Sequence, residues 1–166
     1  MAWQPGQKIT AQRLRDNSPF VVAYTPLTSP TAATTSTSPQ TAIVTPAITF
    51  RAGRAYRLGY RGGMTSSTVG QTGTVLIARS TAGGAVLLNS QRIPGPTGAA
   101  GTVGFYFENI VVNNTGADIT TVLVATYQMV FANGGTIAIF GSSTTPAYVE
   151  AVDIGLAADY AGATSL

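Results

Sequence analysis

The sequence has no cysteine and no histidine. Those two zeros exclude disulfides, thiolate chemistry, zinc sites of the usual kind and any Ser-His or Cys-His nucleophile. Charge is scarce as well: 9% of the 166 residues are Asp, Glu, Lys or Arg, where about a quarter is usual. Nine cations against six acids leave a formal charge of +3. Such a charge neutralises few phosphates, so nucleic acid is not an expected partner. The first twenty residues contain no continuous apolar run, so neither a secretory signal nor a membrane-spanning helix is expected there, and no membrane partner.

Further absences narrow the chemistry. Gly62-Gly63 and Gly83-Gly84 are not followed by the Lys-Ser/Thr that a phosphate-binding loop requires. Asn113-Asn114-Thr115-Gly116-Ala117-Asp118 lacks the acidic spacing of a calcium loop and reads as a turn. Glycosidase chemistry needs two carboxyls in one cleft. Glu108 and Asp118 lie on opposite sides of that turn, and Glu150 and Asp153 have opposite parity on a terminal strand. No catalytic residue, metal or cofactor is expected, and the chain is read as not an enzyme.

What is present is apolar residues at 45% and a surface built from Thr, Ser, Gly, Ala and Asn. A protein exposing so little charge depends on hydroxyl and amide groups for solubility or covers much of its surface with partners. From Gln40 the chain reads as strand, turn, strand almost to its end. Expected strands run over 41–44, 47–50, 55–61, 74–79, 85–92, 102–112, 120–131, 136–140 and 147–152, separated by Gly-, Asn- and Pro-rich turns, with Gly62 to Ser67 as a loop. This spacing predicts an all-β fold, a jelly-roll-like antiparallel β-sandwich of about eight strands with a short N-terminal helical or extended arm. The expected organisation is a docking arm over 1–19, a Thr/Ser/Pro-rich linker or edge segment over 20–40, the sandwich over 41–155 and a C-terminal extension over 156–166.

Within the arm, Thr10 caps a short helix, and Trp3, Ile9, Leu14, Arg13 and Arg15 are the candidate docking residues. Arg51, Arg54, Arg57 and Arg61 form the densest charge cluster. Alternation in Ala55 to Arg61 sends Tyr56, Leu58 and Tyr60 to one face and Arg57 and Arg61 to the other. Phe105 and Phe107 likewise face one way and Tyr106 the other. The four arginines and Tyr106 are therefore candidate subunit contacts, the alternative being a solvated face whose arginines pair locally. The acidic tail, with Glu150, Asp153 and Asp159, is either their complement or solvated.

The chain resembles a domain of virion proteins from phages that infect actinobacteria, often labelled minor tail proteins. Trp3-Gln4-Pro5-Gly6-Gln7-Lys8-Ile9-Thr10-Ala11-Gln12-Arg13-Leu14 is similar to their W-x-P-G-x-x-I-T-A-x-x-L opening. Phe50-Arg51-Ala52-Gly53-Arg54-Ala55-Tyr56-Arg57-Leu58 follows their x-x-A-G-R-x-Y-R-L, Thr74 to Arg79 follows a V-x-I-x-R strand, and Pro146-Ala147-Tyr148-Val149 leads into Val152-Asp153-Ile154-Gly155. The resemblance implies a homo-oligomeric structural component, with a trimer favoured, located on the tail or head surface of a virion with other virion proteins as partners. It would be a minor tail or baseplate component, or a head decoration or fibre protein. The alternative is a carbohydrate- or receptor-binding module for a cell-surface glycan. Exposed aromatics in the 62–74 or 94–102 loops would favour that alternative, and those loops have none.

Overall fold

A computed structural model describes residues 18–90, 93–94, 101–131 and 134–166. Trp3, Ile9, Arg13, Leu14 and Arg15 lie outside the described residues. Short runs of β-branched and aromatic residues punctuated by Gly, Asn and Pro favour strands over helices. The strands are β1 Phe20–Leu27, β2 Gln40–Val44, β3 Ile48–Phe50, β4 Arg54–Ser66, β5 Thr72–Arg79, β6 Val86–Asn89 and β7 Ile93–Pro94, then β8 Thr102–Val112, β9 Ile119–Thr121, β10 Leu123–Met129, β11 Ile137–Phe140, β12 Ala147–Leu156 and β13 Thr164–Ser165. Among the described residues, helical structure is confined to one 3-10 turn, Ala157–Asp159.

The first sheet has the order β1-β12-β4-β8-β13, with β11 also on β4; the second has β2-β10-β5-β6, with β7 on β5; β3 and β9 form a separate pair. Eight of the strands, taken in chain order, are β1, β2, β4, β5, β6, β8, β10 and β12. First pairs with last, second with seventh, third with sixth and fourth with fifth, all antiparallel. That nested pairing, divided between two sheets, is the winding of a jelly roll.

The core lies between the sheets. Tyr56, Leu58, Tyr60 and Met64 of β4 meet Val75 and Ile77 of β5 and Leu123, Tyr127 and Met129 of β10. Tyr60 stacks on Phe105 and Phe107 at centroid distances of 5.6 and 5.4 Å. Each large side chain buried here contributes about 1.5–3 kcal/mol. A second, smaller apolar cluster sits on the outer side of the first sheet. There Ala55 and Val112 are covered by Ala157, Tyr160 and Ala163, because the chain after β12 folds back over the sheet and adds β13 parallel to β8.

Two expectations are corrected. Gly62 to Ser66 is strand, not loop: the ladder of β4 continues against β8 through Thr65 and against β11 through Ser66. The expected 120–131 strand divides near Val122, because β9 pairs with β3 while β10 belongs to the second sheet. Of the 20–40 segment, Phe20–Leu27 is the edge strand of the first sheet, a position that tolerates Pro26. Residues 28–39 then run past β11 and β10, held by Thr31 N to Ile139 O at 3.0 Å and Met129 N to Ser36 O at 2.9 Å.

Candidate functional site

The outward positions of β4 read Arg57, Gly59, Arg61, Gly63. Directly paired residues of antiparallel strands share a face, so the register of β12, β11 and β8 fixes what lies beside each. Tyr148, Arg61 and Tyr106 form one row across three strands, and Glu150, Gly59 and Glu108 form the next. Phe140, Gly63 and Gly104 form a third, through β11. Tyr24 of β1 lies opposite Glu150, with its ring 5.0 Å from that of Tyr148 and tilted by 42°.

The rings and the loop before β12 enclose an open groove of about 700 Å³, with Arg61, Tyr106, Phe140, Tyr148 and Glu150 on its walls and Gly62, Gly63 and Gly104 along its floor. The glycines set its shape. A Cβ on Gly59 would sit 2.9 Å from Glu150 Oε1 and 3.3 Å from the Tyr106 hydroxyl, whereas above Gly104 no atom of the described residues lies within 4 Å. Tyr24 and Tyr106 are 52% and 49% exposed, large ring surfaces to leave in water on a rigid sheet.

The polar groups of this face differ in how far they are engaged. The Tyr106 hydroxyl donates to Glu108 Oε2 at 2.6 Å. Its pKa is pushed up to about 12, first by desolvation, then by that hydrogen bond and by the carboxylates of Glu108 and Glu150. Arg57 Nε stands 3.6 Å from Glu108 Oε2, an ion pair too long for a hydrogen bond, between side chains that are 41% and 47% exposed. Arg61 and Glu150 make no ion pair with each other or with any other side chain among the described residues. No group of three or more ligating Asp or Glu side chains forms a metal site among the described residues.

The expected contact residues do not stay together. Arg57, Arg61 and Tyr106 share the groove face. Arg51 is exposed in the turn before β4, where its backbone N–H donates to the Tyr56 hydroxyl at 2.6 Å. Arg54 is withdrawn from the surface: at 6% exposure it forms a forked pair with Asp153, itself 1% exposed, with Nη2 to Oδ1 at 2.5 Å and Nε to both carboxylate oxygens at 3.1 Å. That pair is within the chain, so Asp153 is not part of a solvated tail. Sequence reasoning missed Tyr24, Phe140 and Tyr148. Glu108 and Glu150, each weighed with a different acid, flank the same glycine. Parity along each strand was readable; the register between strands far apart in sequence was not.

No family model and no curated protein matches the sequence. Among solved structures, the fold is similar to a chain of the infectious bursal disease virus Gt strain, with TM-score 0.45 and 13% identity over 95% of this chain and 41% of that one. It is also similar to a chain of T=1 particles derived from that virus, with TM-score 0.45 and 12% identity over 94% and 40%. A subviral particle of its VP2 protein matches with TM-score 0.36 and 14% identity over 92% and 40%. The chain thus spans about two fifths of the length of the solved chains it matches.

Proposed function

We propose that this chain is a structural component of a phage virion, a self-associating jelly roll that docks on the particle as a minor tail or baseplate component or as a head decoration or fibre protein. The observation that carries self-association is the outer face of the second sheet. Val44, Val124, Ala78 and Val86 form one row across four of its strands, and Thr41, Thr126, Leu76 and Asn89 form the next. Gln128 and Thr74 follow. None of these residues is charged; Val44 and Val86, at the two ends of their row, are 52% and 49% exposed, while Val124, Ala78 and Thr126 between the edges are already 4%, 0% and 0% exposed within the chain. Depletion of charge marks the buried centre of protein interfaces. The occupant of this face is a second copy of the chain, and a trimer is the stoichiometry that the sequence resemblance implies. The virion address rests on that resemblance too, as does docking through Trp3, Ile9, Arg13, Leu14 and Arg15 of the 1–19 segment.

Two measurements test this reading. Light scattering of the full chain is expected to give an oligomer that Val44→Asp with Val86→Asp converts to folded monomer; a wild-type monomer overturns self-association. A reconstruction of intact particles is expected to contain the chain in a symmetric ring or cluster, lost on deletion of 1–19. Absence of the chain from particles overturns the virion assignment, and attachment that survives the deletion overturns the docking arm.

A further inference from the structure

We propose that the groove on the outer face of the first sheet binds a short neutral oligosaccharide. It lies across the sandwich from the valine row, so it does not depend on the self-association reading. Its volume of about 700 Å³ falls within the roughly 300–1,000 Å³ typical of small-ligand sites. A sugar ring presents two kinds of surface. Its C–H faces pack on exposed aromatic rings, and its rim of hydroxyls each donates and accepts. The groove offers both: rings from Tyr148, Tyr106 and Phe140, and between them an arginine with donors only beside a carboxylate with acceptors only.

The state of those polar groups favours a ligand over internal pairing. Arg61 and Glu150 are diagonal neighbours on paired strands, yet no ion pair joins them, and neither is engaged with another charged side chain among the described residues. Thr102 stands over Gly63, but Gly104, in the same row as Phe140, has no described residue within 4 Å above it, so a ring can descend to the level of the backbone there.

Other ligand classes fit less well. An anion would face Glu108 and Glu150, and a cation would face Arg57 and Arg61, so the face as a whole is neutral. A peptide that adds to a sheet needs a free edge, but the backbone groups under the groove are spent in the ladders of β4 with β8, β11 and β12. Rings set on strands hold their spacing without a ligand, which lowers the ordering cost of binding.

The test is calorimetric titration of the full chain with chitotriose, maltotriose, mannotriose, galactotriose and arabinotriose. At least one is expected to bind, with Tyr148→Ala and Arg61→Ala each weakening it by about tenfold or more and Val44→Asp leaving it unchanged. Gly104→Phe removes no packed side chain and fills the open space, so it is expected to abolish binding while the thermal melt stays that of the wild type. No binding by any of the five trisaccharides overturns the proposal. So does binding that survives both Arg61→Ala and Gly104→Phe, or an Arg61→Ala variant that changes oligomeric state while no sugar binds, which would make this face a protein interface.

Discussion

Arg54 and Asp153 show how one residue's role turns on burial. Both charges are out of water, and each is answered by the other with a forked set of hydrogen bonds. Arg54→Ala strands the carboxylate and is expected to cost about 3–5 kcal/mol of stability by urea denaturation, whereas Arg54→Met with Asp153→Leu is expected to be nearly neutral. Tyr60 is the opposite case, since its hydroxyl is buried and has no partner among the described residues. Tyr60→Phe is therefore expected to raise stability by about 1 kcal/mol, read from the denaturant midpoint. Burial also pushes the Tyr60 hydroxyl well above its ordinary value of 10.0, and Tyr106 reaches about 12. The unfolded chain loses these protons first, so the stability they contribute is complete below about pH 10 and falls as pH rises toward 12 and beyond. A denaturation series from pH 8 to 12 is expected to show that decline, shallower in Tyr60→Phe.

At the scale of elements, the end of β12 decides what becomes of the C-terminal residues. A bulge interrupts its register between Asp153 and Gly155. Gly155 has φ +134, where a side chain is strained, and its N–H donates to Asp153 Oδ1 at 3.2 Å. The bend leads the chain into the 3-10 turn and over Ala55 and Val112. Gly155→Ala is expected to lose about 1–3 kcal/mol and to expose the 156–166 segment to hydrogen exchange. The strand-by-strand rhythm was largely legible in the sequence, because alternation is local. The sequence signal failed at Gly62-Gly63, where a glycine pair typical of loops lies inside a strand. Each glycine answers a close neighbour on its own face: a Cβ on Gly63 would come within 2.6 Å of Thr102 Cγ2 on the groove side, and one on Gly62 within 3.1 Å of Ala147 Cβ on the core side.

At the scale of the whole molecule, the two sheets present unlike outer faces. The second is uncharged and β-branched, the first is aromatic and bears charges of both signs over its open half, and the C-terminal segment covers the remainder. The nested pairing also joins the chain's distant parts, with β1 on β12 and β2 on β10. Such non-local ladders must close long loops before they are rewarded, so refolding by stopped-flow is expected on the millisecond-to-second scale.

The sequence by itself determined that this is an all-β chain without histidine or thiol chemistry, where most of its strands lie, and that Tyr106, Arg57 and Arg61 turn away from the core. Each of these follows from composition or from a period of two residues, which neighbouring residues alone define. Tertiary structure decided which strands lie side by side. It buried Arg54, set Tyr148, Arg61 and Tyr106 in one row, placed Glu108 and Glu150 across a single glycine and lined up four apolar residues on the opposite sheet. The reason is that lateral register is set by ladders between segments tens of residues apart, and a shift of one residue in any of them would have turned each side chain to the other face.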